Sequence, residues 1–398
     1  MTTFVIIGAG LAGAKAAEAL REQGHDGEIV LIGDEQLPPY ERPPLSKSYL
    51  AGTSPWEDAL VHAESWYAEH QVDLRRGTRA QAVHPERHVV VVGEDELPYD
   101  RLLLATGSTP RHLPGDDNLL HFRHRADSDA IRARFGASRI VIVGGGWIGL
   151  EVAATARQAG TEVIVLEAAE LPLLAALGPE MGQVFAELHR DHGVDLRTGV
   201  SVDELHADGV RLADGTAVDA DTVLIAVGAS PDTELAEAAG LAVDNGVLVD
   251  ASLRTSDPDI YAVGDIANAE HPFLKQRVRV EHWANALNQP AIAAAGMLGR
   301  SAQYDRLPYF YTDQYDLGME YVGHAPPGSY AEVVVRGDRA GREFIAFWLD
   351  ASRHVLAGMN VNVWDVGDPI KALITSRTRI DPKKLADPNV PLDEVTSE

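Results

Sequence analysis

The chain has 398 residues, 45% hydrophobic and 24% charged, a globular balance with room for roughly two to four domains, which excludes a disordered or fibrous chain. Sixty acidic residues against 34 basic ones give a formal charge of −26, which repels phosphate backbones and argues against nucleic-acid binding. No cysteine occurs, so no disulfide, thiolate nucleophile, Cys-held zinc or Cys-held iron–sulfur cluster can form.

In chain order, the first signal is FVIIGAGLAGAKAAEALREQG. Phe4 to Ile7 read as a strand buried on both faces. Gly8, Gly10 and Gly13 follow as GxGxxG, and Ala14 to Gln23 predict a helix closed by Gly24. Ile29 to Ile32 predict the next strand, ending at Asp34, 26 residues after Gly8. This beginning leaves no secretory signal, and no later run approaches the roughly 20 apolar residues of a membrane span. A cytoplasmic protein is expected.

RPPLSK at 42–47 is stiffened by two prolines, and Ser46 is placed to cap a following turn. LLLATGSTPR at 102–111 and VLIAVGASPDT at 223–233 each read as an apolar strand leading into a domain crossing.

A second strand–turn–helix unit starts at Arg139. Ile140 to Val143 predict the strand, Gly144, Gly146 and Gly149 form the turn, and Leu150 to Gln158 predict the helix. Val163 to Leu166 predict the next strand, closing on Glu167, 23 residues after Gly144. A single GxGxxG is a weak signal. Two of them, each between a strand and a helix and each with an acid ending the following strand, point to two dinucleotide sites. Two dinucleotides meeting for chemistry imply a resident flavin and a diffusing nicotinamide.

TSDPDIYAVGDIA at 255–267 delivers Gly264 and Asp265 to a turn after the predicted strand Ile260 to Val263. EHWANALNQP at 281–290 starts a helix at Trp283, and Pro290 requires either a kink or a fresh start there. From about 303 the pattern becomes short alternating strands, at 315–322, 330–335, 344–349 and 355–360, with a helix near 369–376. The fifteen histidines show no metal-ligand spacing, so no metal site is expected.

The motifs GAGLAG at 8–13, RPPLSK at 42–47, ATG at 105–107, GGGWIGLE at 144–151, VGD at 263–265, EHWANALNQ at 281–289 and YFYTDQY at 309–315 resemble those of the FAD-containing, NADH-dependent ferredoxin reductases of bacterial oxygenase systems. The resemblance spans nearly the whole chain. It implies an α/β fold like glutathione reductase, with two Rossmann-like dinucleotide-binding domains and a C-terminal α+β domain. The implied FAD domain is 1–110 with 233–302, the NAD domain 111–232 and the C-terminal domain 303–398.

The resemblance also implies site residues. For FAD these are Gly8, Gly10, Ala12, Gly13, Asp34, Lys47, Ala105, Thr106, Gly107, Arg125, Gly264, Asp265 and Trp283. For NADH they are Gly144, Gly146, Ile148, Gly149, Glu151, Glu167 and Gly228. Lys47 and Glu151 pair and take the catalytic roles. Trp147 is placed near the nicotinamide entrance, and Tyr311 stands where relatives often carry Trp.

Glu167, with no arginine following it, suits a free ribose 2′-hydroxyl and predicts NADH over NADPH. The missing cysteines exclude thiol-relay relatives, so electrons leave the flavin directly. The implied partner is a 2Fe–2S ferredoxin, and an acidic carrier needs a local basic face. Lys371, Arg377, Arg379, Lys383 and Lys384 form the densest one, and Lys275, Arg277 and Arg279 a smaller one. Competing readings are a rubredoxin or quinone-type reductase, and an NADH-sensing flavoprotein that acts by binding partners.

Overall fold

Phe4 to Ile7 and Ile29 to Ile32 are apolar at every position, which suits strands covered on both faces. In the computed structural model, which describes residues 2–397, they lie at the centre of a five-stranded sheet. Its order is Ile260–Ala262, Arg101–Leu104, Thr3–Ile7, Glu28–Ile32 and Val72–Arg75, and every neighbouring pair is parallel. Ile7 is level with both Ile32 and Leu104. The turns after these strands therefore leave along one carboxyl edge, where open α/β sheets bind ligands.

The helices Leu11–Glu22 and Trp283–Met297 pack on each other. Ala16, Ala17, Ala293 and Ala294 are buried, and such small side chains let two helices approach closely. The second helix is continuous through Pro290 and starts at Trp283, where His282 Nδ1 accepts the Ala284 N–H at 3.2 Å. A fresh start at Pro290 does not occur.

The chain divides into two compact units. The first, Met1–Pro43 with Pro55–Thr109 and Ala229–Arg306, contains the sheet just described. The second is Pro44–Ser54 with Pro110–Gly228 and Leu307–Glu398.

The second unit has its own parallel sheet, in the order Asp195–Thr198, Glu162–Glu167, Arg139–Val143 and Thr222–Ile225. The helix after the glycine turn runs Trp147–Gln158, and its counterpart in the first unit runs Leu11–Glu22. Both begin earlier than the helical pattern predicts, because the last glycine of each turn lies in the first turn of its helix.

Residues 309–361 form a five-stranded antiparallel sheet, ordered Tyr309–Gln314, Leu317–Gly323, Val355–Val361, Glu343–Leu349 and Glu332–Asp338. The sequence predicts a first strand at 315–322 and leaves 309–314 unassigned. The first hairpin instead turns at Tyr315, whose φ is +56°. The helix Gly367–Ser376 rests on this sheet where Gly358 makes room: a Cβ there would come within 2.4 Å of Ile370 Cγ2. Phe185 from the glycine-turn half shares one core with Phe344 and Trp348 of the antiparallel sheet. Among the described residues no helix is long and apolar enough to cross a membrane.

Candidate functional site

In the first unit, Gly8 has φ +114°, and a Cβ there would stand 2.1 Å from the Ala105 carbonyl oxygen. A Cβ on Gly13 would stand 2.0 Å from the Gly8 carbonyl oxygen. The protein's own packing therefore requires both glycines. Gly10 differs: among the described residues nothing lies within 4 Å of its would-be Cβ. Gly10 is the N-cap of the Leu11–Glu22 helix, whose first N–H groups have no intrahelical partner.

Beside this turn is a cavity of about 440 Å³, lined among others by Gly8, Gly33, Asp34, Arg79, Thr106 and Asp232. Asp34 is exposed at its rim. The Thr106 hydroxyl donates to the Asp232 carbonyl at 2.7 Å, and burial pushes the Asp232 carboxyl above its ordinary range. Ala105 is tied to Ile7, N–H to carbonyl, at 2.7 Å, and Gly107 turns the chain with φ +76°.

Ala12 packs beneath Gly264. The Gly264 N–H donates to the buried Gln289 Oε1 at 2.8 Å, and Asp265 Oδ2 accepts from the Ser108 hydroxyl at 2.8 Å. Trp283 Nε1 donates to Glu41 at 3.0 Å. Gln289 closes the 281–289 motif without an assigned role, and Glu41 is not singled out by the sequence. Their signal was weak, one of three amide side chains in the first turns of the helix and an acid just before the prolines.

The second unit repeats the device. A Cβ on Gly144, φ +111°, would meet the Ala226 carbonyl oxygen at 2.4 Å, and one on Gly149 the Gly144 carbonyl oxygen at 2.2 Å. Gly146 is again open, its nearest atom 4.0 Å away. Glu167 is fixed by backbone: the Gly145 N–H donates to Oε2 at 2.6 Å and the Ala169 N–H to Oε1 at 2.7 Å. Ile148, two residues past Gly146, exposes 40% of its surface. The Gly228 carbonyl accepts the Arg111 N–H at 2.9 Å. Trp147 packs between Phe185 and Phe310, with ring centroids at 5.8 and 4.9 Å, so an aromatic cluster holds it.

Lys47 and Glu151 are 104 positions apart in sequence, yet Lys47 Nζ lies 2.6 Å from Glu151 Oε1. The same oxygen accepts the Thr312 hydroxyl at 2.6 Å, and Oε2 accepts the Ser46 hydroxyl at 2.5 Å. Ser46 thus does not cap the next turn; its hydroxyl is spent on the carboxylate. The short segment that carries them is held by its carbonyls, Leu45 by the Ser128 hydroxyl at 2.8 Å and Ser46 by the Thr155 hydroxyl at 2.9 Å.

Behind Thr312, Gln314 Nε2 donates to its hydroxyl at 3.2 Å, and Gln314 Oε1 lies 2.8 Å from Nε2 of the buried His189. Burial is the main cause that lowers the His189 pKa to about 4, so the ring is neutral and donates to Gln314. Sequence reasoning missed Thr312, Gln314 and His189. The available signal was two polar residues at i and i+2 on the buried face of a strand.

Tyr311 places its ring centroid 5.5 Å from Lys47 Nζ. Arg125 opens the helix Arg125–Arg132, its Nε 3.0 Å from the Tyr49 hydroxyl and 3.4 Å from Asp129. Lys47, Glu151, Arg125 and Tyr311 all belong to the second unit, whereas the first glycine turn, Asp34, Asp265 and Trp283 belong to the first.

Residues 2–289 match the pyridine nucleotide-disulphide oxidoreductase family, and residues 309–396 match the reductase C-terminal family. The chain belongs to the pyridine nucleotide-disulphide oxidoreductases. It is 39% identical to putidaredoxin reductase CamA of Pseudomonas putida, over 98% of this chain and 96% of that one. It is 40% identical to the ferredoxin–NAD(+) reductase component of the anthranilate 1,2-dioxygenase system of Burkholderia cepacia, over 98% of each. Among solved structures, the covalent putidaredoxin reductase–putidaredoxin complex superimposes with a TM-score of 0.94 at 38% identity, covering 99% of this chain and 98% of that one.

The cofactors of this family member are FAD and NADH. The residues fit them: two turns, each with a middle glycine open to a ligand at a helix N-terminus, and each followed by an acid at the end of the next strand. The disulphide in the family name has no counterpart here, because the chain has no cysteine.

Proposed function

We propose that this chain is a cytoplasmic, NADH-dependent flavoprotein that passes electrons one at a time to a 2Fe–2S ferredoxin feeding an oxygenase. One observation carries the reading: two complete nucleotide turns stand in a chain with no cysteine. FAD, when bound, takes an electron pair from a nicotinamide and gives electrons up singly. With no sulfur station on the way, a one-electron carrier is the fitting acceptor. The length-wide similarity to ferredoxin reductases supports the same reading.

Each residue then has a defined task. The turn Gly8, Gly10, Ala12 and Gly13 would hold the FAD pyrophosphate, with Asp34 on the adenosine ribose. Ala105, Thr106, Gly107, Gly264, Asp265 and Trp283 would line the rest of that site, with Arg125 a further contact. The turn Gly144, Gly146, Ile148 and Gly149 would hold the NADH pyrophosphate beside Gly228, with Glu167 on its ribose. The Lys47 ammonium, held by Glu151, would sit against the reacting rings as a fixed positive charge.

For the carrier, the exposed Lys371, Arg377, Arg379 and Lys383, with Lys384 beside them, form the preferred docking face. In the smaller cluster both arginines are bonded within their own unit, which leaves the exposed Lys275; in the larger one Lys371 pairs with Asp368 at 3.1 Å on the surface. Arg277 bonds to the Val249 and Asn268 carbonyls and to Glu270, and Arg279 to the Asp265 carbonyl and Glu281.

The test is anaerobic. Purified protein should be yellow, bleach with NADH, and then reduce a 2Fe–2S ferredoxin. Double charge reversal at Lys371 and Arg377 should raise KM for ferredoxin, less at high salt, and leave KM for NADH unchanged. A colourless protein, or one that reduces quinones but no ferredoxin, would overturn the reading.

A further inference from the structure

The segment between Arg111 and His124 holds three chemistry-bearing side chains that the redox function does not use. It is fixed on its unit's sheet from both ends. Leu113 and Leu119 pack on the core beneath. The Leu120 N–H donates to the Val223 carbonyl at 3.3 Å, and the Leu120 carbonyl accepts the Ile225 N–H at 2.8 Å. This anchoring brings His112, Asp116 and His121 together, with one ligand atom of each within 4.8 Å of the others.

Asp116 is 1% exposed, and its Oδ2 accepts the Leu113 N–H at 2.6 Å. His112 Nδ1 lies 3.0 Å from Asp116 Oδ1, and His121 Nε2 lies 3.4 Å from Oδ2. The two imidazoles lie with centroids 4.2 Å apart and planes tilted by 46°. Donors about 2.0–2.1 Å from one tetrahedral ion are separated by about 3.3 Å; the two imidazoles reach different oxygens of Asp116, and one donor atom from each residue lies within 4.8 Å of the others, so small side-chain rotations bring the three onto a shared ion.

Simple His–Asp–His hydrogen bonding explains the cluster less well. Both ring nitrogens of His121 are buried, and neither has a hydrogen-bond partner of adequate geometry among the described residues. An imidazole orphaned in this way is costly. Next to it stands a buried carboxylate, and on the open side the exposed His112 offers an entry path and leaves a coordination position for water.

We propose that His112, Asp116 and His121 form a binding site for a divalent transition-metal ion of the zinc type, separate from the electron path. Two imidazoles and one carboxylate suit Zn²⁺, Ni²⁺ or Cu²⁺ and disfavour Mg²⁺ and Ca²⁺, which prefer all-oxygen sets. The bound ion ties residues 112 and 121 together across the loop that carries them, so its effect is on the stability of that loop.

The test uses the full-length flavoprotein, free of any polyhistidine tag and stripped with EDTA. Titration with ZnCl₂ should show one saturable equivalent and a raised thermal midpoint, undiminished by excess Mg²⁺. The His112→Ala side chain is exposed, so that variant should keep its FAD content yet bind Zn²⁺ at least tenfold more weakly, roughly the scale on which even outer-shell partners act. His121→Gln should do the same. With Cu²⁺ in place of Zn²⁺, electron paramagnetic resonance should report two nitrogen donors in the natural chain and one in His112→Ala. Absence of saturable Zn²⁺ binding, affinity unchanged in both variants, or equal competition by Mg²⁺ would each overturn the site.

Discussion

Glu151 Oε1 sits between two donors, the Thr312 hydroxyl and the Lys47 ammonium, each at 2.6 Å. Thr312 comes from a C-terminal strand, Lys47 from the segment after the paired prolines, and Glu151 from the first turns of a helix after the glycine turn. The donor directions run one way. His189 gives to Gln314, Gln314 to Thr312, and Thr312 to the carboxylate. Hydrogen bonds to a buried charged group contribute about 1.5–3 kcal/mol each, so the row behind Thr312 fixes where the Lys47 charge stands.

Thr312→Val keeps the shape and removes the hydroxyl. Reduction of the flavin by NADH, followed by stopped flow, should slow about tenfold, which corresponds to a loss near 1.4 kcal/mol. FAD content should stay the same, and Thr312→Ser should restore the rate. Lys47→Ala should slow the same step further while the protein stays yellow. An unchanged single-turnover rate in either would remove that residue from the hydride-accepting arrangement.

The two kinds of glycine make opposite predictions. Gly146→Ala has space within the protein, so it should fold with a thermal midpoint near that of the natural chain and raise KM for NADH. Gly144→Ala drives a Cβ to 2.4 Å from the Ala226 carbonyl at a φ of +111°, so it should lower stability by about 1–3 kcal/mol. Thermal melts and NADH titrations of the two variants check this. Equal melting losses would show that the open side of Gly146 is not a ligand space.

Nicotinamide preference follows from Glu167. Backbone N–H groups at 2.6 and 2.7 Å hold its carboxylate in place, so it cannot swing away from a 2′-phosphate. Like charges brought together cost several kcal/mol. NADH should exceed NADPH in kcat/KM by at least about a hundredfold, and Glu167→Gln should narrow the gap. Comparable values with both coenzymes in the natural chain would take Glu167 out of the ribose site.

His189 gives stability a pH dependence. Burial holds its folded pKa at about 4, below the ordinary value near 6.5. Between those values the unfolded chain binds a proton that the folded one refuses. Stability therefore falls as pH drops from about 6.5 toward 4, by an amount on the order of 3 kcal/mol, and this group adds no slope above that window. Urea midpoints at pH 7 and pH 5 should differ less for His189→Gln than for the natural chain. Equal slopes in the two proteins would assign the pH dependence elsewhere.

Much of this site was legible in the chain itself. The glycine turns, the strands before them and the acids at Asp34 and Glu167 follow one another within about thirty residues, so local pattern was enough to find them. The helix from Trp283 was legible too, although only the folded chain decides that it runs unbroken through Pro290. The strand Tyr309–Gln314 was not resolved, because its aromatic residues run straight into Tyr315 and the turn carries only Asp316 as a marker, a residue type that also occurs inside the strand at Asp313.

By itself the sequence determined the class of chemistry. Residue types decide which reactions are available, and periodicity decides which short segments become strands, turns and helices. Zero cysteines, two dinucleotide turns and an acidic surface are properties of the list of residues and need no coordinates. Only the tertiary structure decided which side chains share an oxygen. That Thr312, Ser46 and Lys47 converge on Glu151 and that His189 backs them depend on how distant segments pack, while His112, Asp116 and His121 close on one another through the irregular path of a single loop. Neither helical nor strand periodicity carries any signal over separations of a hundred residues.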